Sequence, residues 1–298
     1  MSFAAEVRHP AVREALATRG YEARSERFVT GRPDRAALAL VSRSGARAIG
    51  KLYPFGGGEE AFRNMTEVWA SSFGAGRRPP GLPQPLEYLP EAGVLVMERL
   101  EGRPLAELGI TEGRELRRSM ALLADLHESD ARPERTRDPR AILRSLERKA
   151  VRVAELAPRF ARPIREVVDA LASRVPPRVA LVPSHGDFSP RNVIVSSGRF
   201  ALIDWDRFQW AEPSRDVAYT GVWCWARALR DGSERDASVL DAAAESYDRE
   251  RPGAITAASL QFHAAAGLVR IAHGLVELWP GEAAFVPRLA SEALRRLS

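Results

Sequence analysis

The chain has 298 residues, 45% of them hydrophobic and 28% charged, a composition that fits a globular protein and excludes a disordered or fibrous one. A formal net charge of +5 would suit an anionic partner, but arginines such as Arg8, Arg13, Arg24, Arg77, Arg114 and Arg118 are scattered or interleaved with glutamates, so nucleic acid is not expected to bind. Cys224 is the single cysteine, which excludes an intrachain disulfide, and neither a signal-like N-terminus nor a run of about 18 apolar residues points to a membrane, so a soluble, cytoplasmic protein is expected.

Val12, Ala15 and Leu16 fall on one side of a short first helix before Gly20. Strand-like runs follow at Arg27 to Thr30, Ala36 to Ser42 and Arg47 to Tyr53, separated by turn residues, and predict an antiparallel meander. After Gly56-Gly57-Gly58, the spacing of Phe62, Met65, Val68 and Trp69 predicts a helix over Glu59 to Phe73. Pro85 to Tyr88 and Val94 to Arg99 read as two more strands.

Beyond Gly102-Arg103-Pro104 helical periodicity dominates, at Glu112 to His127, Arg140 to Leu156 and Ile164 to Val175. Short strands return at Val193 to Val195 and Phe200 to Ile203, and helices resume at Ser214 to Leu229, Ser238 to Arg249, Thr256 to Leu278 and Phe285 to Leu297. A boundary therefore falls near residue 100. It separates a small sheet with one helix, residues 1–100, from a mostly helical part, residues 101–298, in an α+β arrangement.

The stretch richest in chemistry is His185-Gly186-Asp187-Phe188-Ser189-Pro190-Arg191-Asn192, followed by Leu202-Ile203-Asp204-Trp205-Asp206. It offers a carboxylate and an amide on one loop and a second carboxylate at the end of the next strand. Mg²⁺ takes oxygen ligands and is usually held by one or two protein groups plus substrate phosphates, a task that Asn192 and Asp204 suit. Phosphoryl transfer also needs a group that orients the attacking hydroxyl and accepts its proton, and Asp187, five residues before Asn192, fits it. Of 44 basic residues only Lys51 and Lys149 are lysines, and Lys51 stands at a strand end.

These strings resemble the aminoglycoside phosphotransferase and choline kinase group, whose catalytic loop reads His-Gly-Asp-x-x-x-x-Asn and whose metal-binding strand end reads Ile-Asp-Trp-Asp or similar. The resemblance covers about residues 25 to 230. It implies a two-lobed, protein-kinase-like fold with an antiparallel-sheet nucleotide-binding lobe over 1–100 and a helical lobe over 101–298 that carries the catalytic loop and acceptor site. It implies ATP and Mg²⁺ as cofactors and a small-molecule hydroxyl acceptor as partner. By the same resemblance Asp187 is the catalytic base, Asn192 and Asp204 ligate Mg²⁺, His185 supports the loop, and Asp216 buttresses it. Lys51 resembles the third-strand lysine that contacts the α- and β-phosphates; its acidic partner is Glu60, with Glu59 and Glu67 as competitors.

Val94 to Gly102 resembles the connection between lobes, with Met97 lining the adenine pocket and the Glu98 and Leu100 backbones bonding the base. Thr30 to Asp34, with one glycine, departs from the glycine-rich phosphate loops of kinases. His-Arg-Asp and Asp-Phe-Gly are missing, which disfavours a protein kinase. The acceptor could be an aminoglycoside, a sugar, an amino alcohol or a related metabolite, although Arg207, Arg215, Arg227 and Arg230 suit a polycation poorly. Trp205, Trp210, Trp223, Trp225 and Trp279, with Asp206 and Glu212, are candidates for the acceptor site, and core packing competes for each. A nucleotide-binding pseudokinase without transfer activity is the alternative.

Overall fold

The computed structural model describes residues 10–28, 36–108, 113–196, 198–233 and 238–298. The chain divides into two compact units: Met1–Arg103 with Ile194–Arg207, and Pro104–Val193 with Phe208–Ser298. The single boundary read near residue 100 is thus joined by a second crossing, because the segment after the catalytic-loop motif packs with the first unit.

In the first unit, helix α1 (Pro10–Thr18) buries Val12, Ala15 and Leu16, the residues that its spacing picked out. A five-stranded antiparallel sheet follows in the order β1-β2-β3-β5-β4, formed by β1 (Tyr21–Phe28), β2 (Ala36–Ser42), β3 (Arg47–Leu52), β4 (Pro85–Leu89) and β5 (Val94–Glu98). The first strand starts six residues earlier than the expected Arg27 to Thr30, and the candidate phosphate loop at Thr30 to Asp34 lies outside the described residues. Leu16, Leu38, Leu40, Ala48, Leu52, Leu89, Val94 and Val96 pack into one core. Alternation in β3 puts Ala48, Gly50 and Leu52 on the buried side and Lys51 on the opposite face. Gly50 permits this packing, since a Cβ there would stand 2.9 Å from Leu40 Cδ1.

Helix α2 (Gly58–Ala70) lays Ala61, Asn64, Met65 and Val68 against β4 and β5. It ends three residues before the expected Phe73, because both the amide and the hydroxyl of Ser71 turn back to the Val68 carbonyl. The two-residue strand β6 (Arg103–Pro104) ends this stretch.

The second unit holds helices α3 (Arg114–Glu128), α4 (Pro139–Leu156) and α5 (Ala161–Ala172), then α6 (Ser214–Arg230), α7 (Ser238–Glu250), α8 (Ala257–Leu278) and α9 (Val286–Leu297). Helix α8 is the hub, packing on α4, α5, α6 and α9. It is capped by Thr256, whose hydroxyl accepts from the Ser259 amide; α4 is capped by Asp138 through the Ala141 amide, with Pro139 at its first position. The α6–α7 packing is close: a Cβ on Gly221 would come within 2.5 Å of Leu240 Cα.

Strands β7 (Val182–Ser184) and β10 (Gln209–Ala211) form a short antiparallel pair in the second unit. Strands β8 (Val193–Ser196) and β9 (Arg199–Leu202) share a sheet with β6, in the order β6-β8-β9. Backbone and side-chain bonds stitch β9 to the first unit: the Leu202 amide donates to Gly81 O, and Arg199 donates to Pro80 O, Leu82 O and the Glu98 carboxylate. Among the described residues no helix is long and apolar enough to cross a membrane.

Candidate active site

The chemistry-bearing residues gather in two clusters, one in each unit. In the first unit, β9 runs into a turn whose pivot is Asp204, at φ 72°, the one non-glycine residue with positive φ among those described. An L-residue held there costs about 1–2 kcal/mol, a strain that aspartate tolerates better than most and that the surroundings must hold. Trp205 does so: it is buried, edge-on to Phe73, its indole N–H donates to Leu202 O, and its own carbonyl accepts from Asn64 Nδ2 of α2 at 2.9 Å. Trp205 is therefore core, while Trp210, Trp223, Trp225 and Trp279 are half-buried.

Lys51 meets this turn. Its ammonium donates to Asp204 Oδ1 at 2.5 Å and to Asp206 Oδ1 at 2.9 Å, and the Tyr53 hydroxyl donates to Asp206 Oδ1 at 2.6 Å. Two carboxylates thus converge on one cation. Glu59 is exposed and pairs with Arg63, whereas Glu60 and Glu67 are half-buried on α2.

On β5, Met97 is buried opposite Ile49. Glu98 donates its amide to Gln84 O at 2.8 Å, and the Gln84 amide goes to the Glu98 carboxylate at 2.9 Å in place of the main-chain carbonyl a regular ladder would use. Leu100 follows, half-buried.

In the second unit, β7 runs into His185-Gly186-Asp187, and Gly186 takes φ 75°, where its missing side chain avoids strain. Asp216, fully buried near the start of α6, accepts from Ser184 Oγ at 2.8 Å, the His185 amide at 2.8 Å and the Gly186 amide at 2.9 Å. The buttress expected of Asp216 is this set of three bonds. Burial alone would push its carboxyl up, but bonding and charge from His127, with His185 and Arg215 behind it, outweigh burial and hold it below the usual carboxylate range. His127 is buried between Asp216 and the Tyr247 hydroxyl.

The loop closes on itself: the Asp187 amide donates to His185 Nδ1 at 3.3 Å, and Asn192 Nδ2 donates to Asp187 O at 2.9 Å. The Asp187 carboxylate lies between two guanidinium groups. Arg270 Nη2 donates to Oδ1 at 2.7 Å while its Nη1 donates to Gly186 O at 2.9 Å, and Arg191 Nη2 donates to Oδ2 at 3.0 Å. Arg270 also lies over the Tyr219 ring, 4.2 Å from its centroid. Below the loop, Glu212 Oε2 accepts from Ser259 Oγ at 2.5 Å and lies 2.9 Å from His263 Nε2, a buried knot that ties the start of α6 to α8. Burial pushes the His263 imidazole down against the opposing pull of Glu212.

Comparison with known proteins fits these clusters. A model of the phosphotransferase enzyme family, APH, matches residues 34–254. The chain belongs to this family. An aminoglycoside phosphotransferase APH(4)-Ia, a thermostable mutant in ternary complex with AMP-PNP and hygromycin B, is 15% identical and superposes with a TM-score of 0.69 over 96% of this chain and 98% of that one. A choline/ethanolamine kinase family protein from Mesorhizobium loti is 17% identical, with a TM-score of 0.65 over 99% and 94%. A putative fructosamine-3-kinase from Thermobifida fusca is 18% identical, with a TM-score of 0.60 over 96% and 99%. No protein of curated function matches the chain in sequence. At these identities the solved structures establish a shared kinase-like fold, and the family match makes the chain a phosphotransferase enzyme.

Tyr53, Asn64, Arg191 and Arg270 are members of the clusters to which sequence reading gave no role. Asp206 closed the Ile-Asp-Trp-Asp string and was named for the acceptor site, whereas the structure places it on Lys51. Arg270 could not have been picked out, being one of many arginines and 83 positions from its carboxylate.

Proposed function

We propose that this phosphotransferase moves the γ-phosphate of ATP to a hydroxyl of a small molecule, and that the two clusters serve that one reaction. The observation that carries the reading is the meeting of Lys51 with the Asp204 and Asp206 carboxylates, which joins a phosphate-type cation to acids of the kind that hold a nucleotide's metal.

Among the described residues no group of three or more His, Cys, Asp or Glu side chains forms a closed metal site. Mg²⁺ does not require one, since it is commonly held by one or two carboxylates and the substrate phosphates. The donors present fit: hard oxygen groups, two of which already surround a cation. Asp204 and Asn192 would hold the ion, and bound there it would neutralise charge on the transferring phosphoryl group.

Lys51 then binds the α- and β-phosphates, with Glu60 orienting it from α2. Met97 lines the adenine pocket, and the Glu98 carbonyl and Leu100 amide bond the base, a role supported by the diversion of the Gln84 amide to the Glu98 side chain. Asp187 orients the acceptor hydroxyl and takes its proton as the oxygen attacks the γ-phosphorus, and ADP leaves.

The test is ADP release with Mg²⁺-ATP and a panel of hydroxylated acceptors. Asp187→Asn should bind ATP nearly as the parent does while turnover drops by roughly 10²–10⁴, and Asp204→Ala should weaken Mg²⁺-nucleotide binding itself. Nucleotide-dependent thermal stabilisation without ADP from any acceptor would instead favour a binding module.

A further inference from the structure

We propose that the acceptor carries an anionic oxygen, a carboxylate or a phosphate, beside the hydroxyl that it offers, and that Arg270 and Arg191 bind it. The inference rests on the reading of Asp187 as the group that meets the acceptor hydroxyl.

Charge balance comes first. Asp187 brings one negative charge, and two guanidinium groups lie on it, at 2.7 and 3.0 Å, so the cations outnumber the carboxylate that they share. The acids on the segment that follows bond elsewhere. Glu212 is engaged by Ser259 and His263, and Asp216 by Ser184 and two backbone amides, and both are enclosed. A polyamine acceptor would bring further positive charge against two guanidinium groups. An anionic one would be drawn to them.

Geometry comes second. Arg270 is held on three sides, by Gly186 O, by Asp187 and by the face of Tyr219. A guanidinium has five N–H donors, and the two bonds to Gly186 and Asp187 use two of them. Its side chain keeps 17% of its surface open and that of Arg191 keeps 34%, so both cations stay partly exposed while bonded to the carboxylate. Planar forks of this kind match carboxylate and phosphate oxygens in pairs of bonds, which a lysine ammonium cannot reproduce. Burial works against the charge of Arg270, but Asp187 and Tyr219 outweigh it and keep the side chain a firm cation.

The experiment uses the full chain with Mg²⁺-ATP and four matched acceptors: a neutral polyol, its carboxylate, its phosphate monoester and a polyamino sugar. Binding of each is measured by calorimetry in the presence of AMP-PNP, and turnover by ADP release. The expected result is a preference for one of the two anionic members, and which of them is preferred identifies the source of the anion. Arg270→Lys should raise the KM and Kd of that member by about tenfold relative to those of the neutral polyol, the loss of one charge-assisted hydrogen bond, the polyol registering whatever the substitution does to Asp187 itself. Arg191→Ala, on a more exposed side chain, should do the same if Arg270→Lys fails to fold.

A polyamino sugar or neutral polyol preferred over both anions would overturn the proposal, as would an anion preference that survives both substitutions. Failure of the phosphotransfer reading looks different. Calorimetric binding of the anion that Arg270→Lys weakens about tenfold upholds the anion site even if ADP never forms, and full turnover by Asp187→Asn rejects the base while sparing the arginines.

Discussion

Two turns carry the candidate carboxylates, and both place a residue in the left-handed region. In the second unit the conformation falls on Gly186, at φ 75°, and the charge on its neighbour Asp187; in the first unit Asp204, at φ 72°, carries both. Dividing the tasks gives an unstrained turn, so Asp187 follows a backbone fixed by Asp216, with Asn192, Arg191 and Arg270 bonding to Asp187 itself. Combining them stores strain at Asp204, which Trp205, Asn64 and the Lys51 ammonium hold in place. One acid is positioned from beneath by hydrogen bonds to the backbone, the other by a buried indole and a single amide.

The harshest way to break the first arrangement is Asp216→Ala. It strands a hydroxyl and two backbone amides in a fully buried place, and with a cost of about 1–3 kcal/mol for each unsatisfied group the loss should exceed about 3 kcal/mol, read by denaturant unfolding. The same carboxylate sets an acid limit. Its folded pKa lies below the unfolded value, so its contribution is complete above the usual carboxylate range and is lost progressively as pH falls from that range towards the lower folded value. The thermal midpoint of the parent should therefore drop more steeply below about pH 5, where the unfolded carboxylate begins to take up its proton, than that of Asp216→Asn. Equal slopes would show that Asp216 is not held in its charged form.

Gly186→Ala ranks next. It moves the left-handed strain onto a residue with a Cβ and should cost about 1–2 kcal/mol, with turnover falling further than stability because Asp187 tilts with the backbone. Unchanged kcat in a folded Gly186→Ala protein would mean that the aim of Asp187 does not depend on this turn. At the other turn the informative pair is Asp204→Ala against Asp204→Gly. Both remove the carboxylate and should weaken nucleotide binding alike, but the glycine variant should be the more stable by about 1 kcal/mol, since only it escapes the strain. A glycine variant no more stable than the alanine variant would leave Asp204 without stored strain.

This contrast also marks what a sequence discloses. Asp187, Asn192 and Asp204 stood out because they fall in two short strings of chemistry-bearing residues close in the chain, and Lys51 because lysine is rare in it; the structure puts Asp187 and Asn192 on one loop and Lys51 on Asp204. The helices were legible to within about three residues, their apolar stripes being local. Strands β7 and β10 were not, because three residues are too few for an alternation to register. Arg270 and Asn64 were hidden for another reason. Which arginine of α8 meets Asp187, or which amide of α2 meets Trp205, depends on how distant elements dock, and nothing in the local pattern distinguishes such a residue from its neighbours. The same holds for residues 194–207, whose affiliation with the first unit is written in Arg199 and Leu202 bonding to residues 80–82, more than a hundred positions away.

Asn64 supplies the finest probe. Its amide donates to Trp205 O from a buried position on α2, and a neutral buried hydrogen bond contributes about 1 kcal/mol. Asn64→Ala should lower stability by that order and loosen the turn, so that Mg²⁺-nucleotide affinity falls by a factor of a few while kcat at saturation holds. Asn64→Asp sharpens the point, because an ionised carboxylate has no proton to donate and would face a carbonyl oxygen. It should therefore weaken nucleotide binding more than the alanine does, despite being nearly isosteric with asparagine. Equal affinities for the two variants would mean that Asp204 is aimed by Lys51 and Trp205 alone, and that α2 takes no part in holding the strained turn.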